Sequence, residues 1–140
     1  AIHLGDIDND QLLDELPFSF DPTATRTIEN IDVLWVDKRT IIRAFEVEHT
    51  TSVYSGLLRM ADLLSLVPNI NIPIHIVAAE TRREKVFREI NRPVFFIMEG
   101  CLARRCTFIT YENVFTIENT PNLRHINHTI VDEYAESRDY

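Results

Sequence analysis

The sequence is poor in glycine, cysteine and long apolar runs, and each shortage excludes a class of protein. Three glycines among 140 residues are too few for the glycine-rich loops that cradle phosphates in nucleotide-binding proteins. Two cysteines, Cys101 and Cys106, do not make a disulfide framework, and we expect both to be reduced thiols. No apolar run is long enough to cross a membrane, and no signal-peptide pattern opens the chain. These absences predict a cytoplasmic protein without a membrane partner.

The charge is acidic overall but uneven along the chain. A formal net charge of −8 argues against a protein that coats nucleic acid non-specifically, because phosphate binding depends on Lys and Arg. Basic residues nevertheless concentrate in residues 81–93, with Arg104 and Arg105 close behind, whereas acids concentrate near both ends. We therefore expect a local basic patch on an acidic protein.

The order of hydrophobic patterns predicts an α/β fold with a central mixed β-sheet flanked by helices. Residues 31–36 and 41–50 are predicted to form a β-hairpin, and residues 73–79 and 105–110 are predicted to be further strands. Helices are predicted over residues 10–15, 52–67, 81–92 and 111–116, with a closing helix within residues 123–136. Residues 23–29 and 94–98 are predicted to be extended, so no helix is expected directly before the hairpin. A chain of this length is expected to form one domain.

Three acidic residues lie within the apolar strands of the predicted hairpin. Glu46 and Glu48 share one face of the second strand because side chains alternate, and hairpin pairing carries Asp32 to the same side. Burying three carboxylates is costly unless a cation or hydrogen-bond donors compensate. The alternative, a solvated sheet edge, fits poorly with apolar neighbours such as Trp35 and Phe45. The pattern indicates a site for a hard metal such as Mg²⁺, which is suited to metal-assisted hydrolysis at a phosphoryl group.

The run Asp32 … Glu46-Val47-Glu48 resembles the catalytic signature of the PD-(D/E)xK nuclease superfamily. There, an Asp at the start of one strand and a D/E-x-K pair on the next strand hold a divalent metal. The longer stretches around these residues resemble bacterial restriction-endonuclease-like proteins, and the similarity covers most of residues 23–111. The resemblance implies a restriction-endonuclease-like three-layer sandwich that hydrolyses DNA with Mg²⁺, for which Mn²⁺ can substitute.

The resemblance also implies roles for the residues of the signature. Asp32, Glu46 and the Val47 carbonyl would bind the metal. Asp32, Glu46 and Glu48 would form the catalytic set. Glu48 stands where the superfamily usually has Lys, so it would accept a proton from the attacking water or orient that water. This departure leaves a second interpretation open, namely a non-catalytic DNA- or protein-binding module that keeps the nuclease fold.

Four basic residues are predicted to contact DNA. Arg59 lies on the helix after the metal strand, where a surface ion pair with Asp62 is the alternative. Arg82, Arg83 and Lys85 open the basic helix, where backbone N–H groups also favour anions; a solvated charged face is the alternative for these three.

Two further expectations concern assembly and organisation. The resemblance implies DNA as a partner and a homodimer. Residues 1–140 are interpreted as a single nuclease-like domain, or as the C-terminal catalytic domain of a longer protein whose DNA-reading part is separate.

Overall fold

The sheet of this protein contains five strands in the part of the chain that the computed structural model describes, namely residues 2–4, 19–48, 52–67, 70–122 and 127–138. The strands are β1 (Ile2–Leu4), β2 (Val33–Asp37), β3 (Thr40–Glu48), β4 (Ile74–Ala78) and β5 (Cys106–Thr110). They lie side by side in sequence order. The β2–β3 pair is an antiparallel hairpin, whereas β1–β2, β3–β4 and β4–β5 are parallel. The predicted mixed sheet and its hairpin are therefore confirmed.

Seven α-helices accompany the sheet in the described residues. They are α1 (Pro22–Glu29), α2 (Val53–Leu66), α3 (Arg83–Ile90), α4 (Pro93–Ile97), α5 (Leu102–Arg105), α6 (Tyr111–Glu118) and α7 (Ile130–Tyr134), and a 3₁₀ turn over Glu80–Arg82 leads into α3. The predicted helix over residues 10–15 lies outside the described residues. None of the helices that the structure describes combines the length and apolarity that a membrane span requires.

Hydrophobic side chains pack on both faces of the sheet. On one face, α2 buries Val53, Leu57, Met60 and Leu63 against the strands. On the other, Trp35, Val77 and Ile109 of the sheet pack with residues of α7. That second face is covered by residues 127–138, here called the strap. The strap pairs with β5 through two backbone hydrogen bonds between Phe108 and Glu136, at 2.9 and 2.8 Å.

A helix precedes the hairpin, so the predictions of an extended segment over residues 23–29 and of no helix there are wrong. The α1 helix begins at Pro22, and the Asp21 side chain accepts hydrogen bonds from the backbone N–H groups of Thr23 and Ala24 at 2.9 and 3.1 Å. An Asp N-cap followed by Pro is a strong helix start. Burial of Ala24 and Ile28 on one helix face outweighs the extended preference of the β-branched residues.

Three other boundaries differ from the sequence-based predictions. Residues 94–98 were expected to be extended, yet α4 begins at Pro93, a favoured first residue of a helix. The helix predicted over residues 81–92 begins only at Arg83, because Glu80–Arg82 form a 3₁₀ turn. The closing helix is confined to Ile130–Tyr134, and residues 123–126 lie outside the described part of the chain.

Candidate active site

Asp32 is positioned by the unequal lengths of the two hairpin strands. The β2–β3 pairing begins at Val33 opposite Phe45, whereas β3 continues to Glu48 and pairs there with β4. The backbone N–H of Val47 thus lies beyond the paired part of β2. The Asp32 carboxylate accepts a hydrogen bond from it, with Oδ2 2.8 Å from the nitrogen. The hairpin itself brings Asp32 beside the Glu46–Glu48 segment, as the sequence predicted.

Glu46 is completely buried and is bound at both carboxylate oxygens by Arg59. The Nε atom of Arg59 lies 3.0 Å from Oε1, and its Nη2 atom lies 2.7 Å from Oε2. Such bidentate pairs are among the strongest hydrogen-bonded ion pairs in proteins. Arg59 thus pairs with a candidate metal ligand, Glu46, and not with Asp62, the alternative partner.

The pKa of Glu46 rises to about 7, chiefly because burial disfavours the charged carboxylate. The hydrogen bond from Arg59 opposes this rise, whereas the negative charge of Asp32 and a hydrogen bond between the two carboxyl groups add to it. The charge of Asp32 is therefore felt at Glu46. Two neighbouring acids, one of them completely buried, form a site that attracts positive charge.

Glu48 is also buried, but its carboxylate is directed at helix α2. A Cβ atom placed on Gly56 would lie 2.8 Å from Glu48 Oε1 and 3.3 Å from the Glu46 Cβ and Cγ atoms. Only glycine leaves room for α2 to approach the two acids this closely. The Glu48 main chain is fixed separately, because its carbonyl accepts a 2.7 Å hydrogen bond from the Tyr111 hydroxyl.

The sequence predicted that the three carboxylates would converge on one metal ion, and the structure does not show that convergence. Within the described residues, no group of three or more His, Cys, Asp or Glu side chains is arranged to hold a metal ion. Glu48 is turned onto α2, and Arg59 provides an internal cation for Glu46. The three acids still share one electrostatic environment. The hydrogen bonds that Arg59 donates to Glu46, and then the charges of Glu46, Asp32 and Glu48, raise the pKa of Arg59.

Asp32, Glu46 and the Val47 carbonyl form a smaller set of oxygen donors, which are of the type that Mg²⁺ prefers. Mg²⁺ is commonly bound by one or two carboxylates while keeping several waters. The Ala44 N–H donates to the Pro73 carbonyl on the β4 side of β3. Because successive residues of a strand point their N–H and C=O groups to opposite sides, the Val47 carbonyl is directed to the β2 side, where Asp32 lies. The available donors are all hard oxygens.

Comparison with known protein families identifies the family of this chain. The family model described as "Type II restriction enzyme NmeDI C-terminal domain" matches residues 3–138. The chain belongs to this family.

A curated relative gives the same assignment. The Type II restriction enzyme NmeDI of Neisseria meningitidis serogroup C is 43% identical over 84 residues, which are 59% of this chain and 24% of the relative. The chain therefore spans about a quarter of the length of that relative. No solved structure matches the chain.

The basic helix α3 is tied to the strap. Arg83 donates two hydrogen bonds to Glu136, at 2.8 and 3.0 Å, and one to Glu80 at 3.2 Å. These hydrogen bonds raise the pKa of Arg83, and the bonds to Glu136 have the larger effect. Arg82 is half-buried in the 3₁₀ turn and Lys85 is exposed. The DNA contacts predicted for Arg82, Arg83 and Lys85 stay predictions, and Arg83 already has two carboxylate partners.

A second polar cluster, which sequence reasoning missed, lies on the opposite face of the sheet. Arg43 is 1% exposed and donates to both oxygens of Asp132 at 2.8 and 2.9 Å and to His128 Nδ1 at 3.0 Å. Its Nη1 atom also lies 3.1 Å from His75 Nε2. The sequence contained one signal for this cluster, because Arg43 shares a face of an apolar strand with Phe45 and Val47. Its partners could not be read from spacing, because Asp132 follows 89 residues later.

Proposed function

We propose that this chain is the catalytic part of a divalent-metal-dependent endonuclease that hydrolyses DNA phosphodiester bonds. The observation that carries the proposal is the position of the half-buried Asp32 carboxylate, held by the Val47 N–H at the end of the hairpin beside the completely buried Glu46. Membership of a restriction-enzyme family supports a DNA-cleaving role. The PD-(D/E)xK resemblance supports the assignment of these two acids as metal ligands.

In this proposal Asp32, Glu46 and the Val47 carbonyl hold Mg²⁺, with Mn²⁺ as a substitute. The bound ion would lower the pKa of a water molecule and neutralise charge that develops on the phosphoryl group. The Val47 N–H fixes the orientation of Asp32, and Arg59 fixes that of Glu46. Glu48 accepts a proton from the attacking water or orients that water. Burial of Glu46 and Glu48 keeps competing solvent from both acids.

Digestion of plasmid DNA with Mg²⁺ or Mn²⁺ tests the proposal. We expect Glu46→Gln to lower the cleavage rate by about tenfold to a hundredfold or more. Losses of this size occur when a residue that merely supports a metal ligand is changed. The amide keeps the size of the side chain, and one oxygen can still accept from Arg59. The matched control is Glu99→Gln, at an exposed position, which should cleave like the wild type. Equal cleavage by the Glu46→Gln variant and the wild type would remove Glu46 from the mechanism.

Thermal unfolding gives a readout of metal binding that does not depend on cleavage. Mg²⁺ or Mn²⁺ should raise the unfolding midpoint of the wild type, because a ligand that binds only the folded state stabilises it. In Asp32→Asn the amide oxygen can still accept from Val47, but the charge is lost. The metal-dependent rise should disappear in this variant. A rise of unchanged size would show that the ion binds elsewhere.

The second candidate function is a non-catalytic DNA- or protein-binding module that retains the fold. Two observations favour it: Glu48 stands where the superfamily has Lys, and Arg59 already occupies both oxygens of Glu46. This candidate predicts no plasmid cleavage with any divalent ion. It also predicts that DNA or partner binding by Glu46→Gln equals that of the wild type.

The larger assembly follows from the same proposal. We propose that two subunits pair to cut both strands, and that the longer protein carries a separate DNA-reading part and acts in the cytoplasm. The chain covers 24% of its curated relative, which leaves room for such a part in that protein. Light scattering with and without a DNA duplex measures the subunit number.

A further inference from the structure

A polar cleft opens between helices α1 and α2, beside the Asp32–Glu46 pair. Its volume is about 260 Å³, and it is lined by Arg26, Thr27, Asn30, Arg59 and Asp62. This is much larger than the ~30 Å³ that one water molecule occupies in the liquid. The lining side chains are charged or hydrogen-bonding, so they offer donors and acceptors to a polar ligand.

Arg59 connects the cleft to the candidate active site. Its Nε and Nη2 atoms are bonded to Glu46, while its side chain remains 34% exposed and lines the cleft. The completely buried Glu46 carboxylate thus lies behind the guanidinium that forms one wall. A ligand in the cleft would contact Arg59 from the solvent side and would lie next to the two acids.

The opposite wall is formed by the last turn of α1 and the residue that follows it. Arg26 donates from Nε to the Pro22 carbonyl at 3.3 Å, and Asn30 donates from Nδ2 to the Arg26 carbonyl at 2.7 Å. The Thr27 hydroxyl donates to the Thr23 carbonyl at 3.3 Å. These bonds within α1 restrict the side chains on the rim, so less conformational entropy is lost when a ligand binds.

The charges around the cleft favour an anion. Arg26 and Arg59 contribute two guanidinium groups, and Asp62 contributes one carboxylate. Guanidinium groups match the geometry of phosphate oxygens and often bind them with two hydrogen bonds. Two such groups on facing walls, together with the second N–H of the Asn30 amide, provide donors from more than one direction.

We propose that this cleft binds a backbone phosphate of the DNA substrate, adjacent to the phosphodiester that is cut, with Arg26 and Arg59 as its main contacts. The proposal rests on the proposed endonuclease function and extends it to substrate positioning. Asp62 opposes the phosphate, so it limits affinity and favours release of the product.

The test compares matched arginine variants in binding to a fluorescently labelled DNA duplex without divalent ions, at a series of salt concentrations. Arg26→Ala should weaken binding roughly tenfold, as expected for loss of a charged hydrogen bond. It should also reduce the slope of log affinity against log salt by about one, because one phosphate contact is lost. Arg88→Ala is the control, since Arg88 is an exposed arginine in the last turn of α3.

A second variant tests the proposal in the opposite direction. Asp62→Asn removes the carboxylate from the cleft and should tighten DNA binding several-fold. Because Asp62 is exposed, the change should leave the unfolding midpoint unaltered. A gain of affinity in Asp62→Asn together with a loss in Arg26→Ala supports the cleft as a phosphate site.

The outcomes separate this proposal from the proposed function. If the wild type binds DNA but Arg26→Ala and Arg88→Ala behave alike, the cleft proposal is overturned and the endonuclease proposal stands. If the variants shift binding as expected but the wild type cleaves no plasmid, the cleft is supported and catalysis is rejected. A wild type that binds no duplex overturns the cleft proposal, whereas plasmid digestion decides the endonuclease proposal.

Discussion

At the scale of single residues, His75 illustrates how neighbours decide the state of a titratable group. Arginine only donates hydrogen bonds, so the contact between Arg43 Nη1 and His75 Nε2, at 3.1 Å, requires Nε2 to accept. The proton of the neutral ring must then lie on Nδ1, which donates to the Thr107 hydroxyl at 2.6 Å. A second proton would occupy the nitrogen that faces Arg43. The geometry therefore keeps this histidine neutral.

This arrangement predicts an acid-sensitive contribution to stability. The pKa of His75 falls from 6.5 to about 3, first because burial disfavours the charged ring and then because Arg43 repels it, while Asp132 acts the other way. The unfolded state therefore binds the proton more readily, and stability falls as the pH decreases from about 6.5 towards 3.

Unfolding in urea at several pH values measures this contribution. The His75 contribution to the free energy of unfolding should drop by an amount on the order of a few kcal/mol across this range. Glu46, whose pKa is raised to about 7, acts in the opposite sense in both proteins. His75→Gln cannot take up the proton, so the difference in unfolding free energy between the wild type and this variant should decrease as the pH falls. The pKa of Asp132 is lowered, chiefly by its hydrogen bonds with Arg43. The stability that Asp132 contributes is therefore lost only in the most acidic part of the range, in both proteins. Parallel pH curves for the two proteins would contradict the assignment.

At the scale of elements, the sequence predicted the parts of the fold that have a single strong pattern. The apolar run of β4 is buried at every position, and the alternation in β3 correctly placed Glu46 and Glu48 on one face. The α1 helix was missed because its β-branched residues were given more weight than Asp21 and Pro22 at its start. A local cap outweighed average propensity there.

The candidate site was predictable only as far as strand geometry reaches. Alternation and hairpin pairing bring Asp32 beside Glu46, and both follow from sequence. The bond from Arg59 to Glu46 was not foreseen, because the helix rotation that directs Arg59 inward depends on the close approach of α2 at Gly56. Sequence spacing made Asp62, three residues further along, an equally good partner.

Gly56 makes a test at this scale. Gly56→Ala should destabilise the protein by about 1–2 kcal/mol, because overpacking costs more than the ~1 kcal/mol that alanine gains in a helix. The new methyl group would push against Glu48 Oε1 and the Glu46 side chain. We also expect the metal-dependent rise in unfolding midpoint to decrease. Ser55→Ala, at an exposed position of the same helix, is the control. Unchanged stability and metal response would show that α2 moves away freely.

At the scale of the whole molecule, the strap connects distant parts of the fold through three bidentate ion pairs. Asp132 binds Arg43 of β3, Glu136 binds Arg83 of α3, and Arg138 binds Glu84 of α3. Exposed pairs of this kind contribute little individually. The Arg43–Asp132 pair differs because Arg43 is buried.

Loss of the Asp132 charge should therefore have an effect well above that of a surface change. Asp132→Asn leaves a buried guanidinium without its carboxylate and should cost about 1–3 kcal/mol, the penalty for an unsatisfied charged donor in a partly exposed pair. Glu133→Gln, the exposed neighbour in α7, is the control and should stay within about 0.5 kcal/mol of the wild type. Equal effects of the two changes would show that Arg43 finds other partners.

The order of the strands, and the late position of the strap in the chain, have a consequence for folding kinetics. The β2–β3 hairpin closes through the two-residue turn Lys38–Arg39, whereas the contact between Arg43 and Asp132 joins residues that are 89 positions apart. Contacts of such large sequence separation cost more entropy to form. We therefore expect the strap to dock after the rate-limiting step. In stopped-flow experiments Asp132→Asn should accelerate unfolding and leave the refolding rate unchanged. A slower refolding phase would instead place the strap in the nucleus.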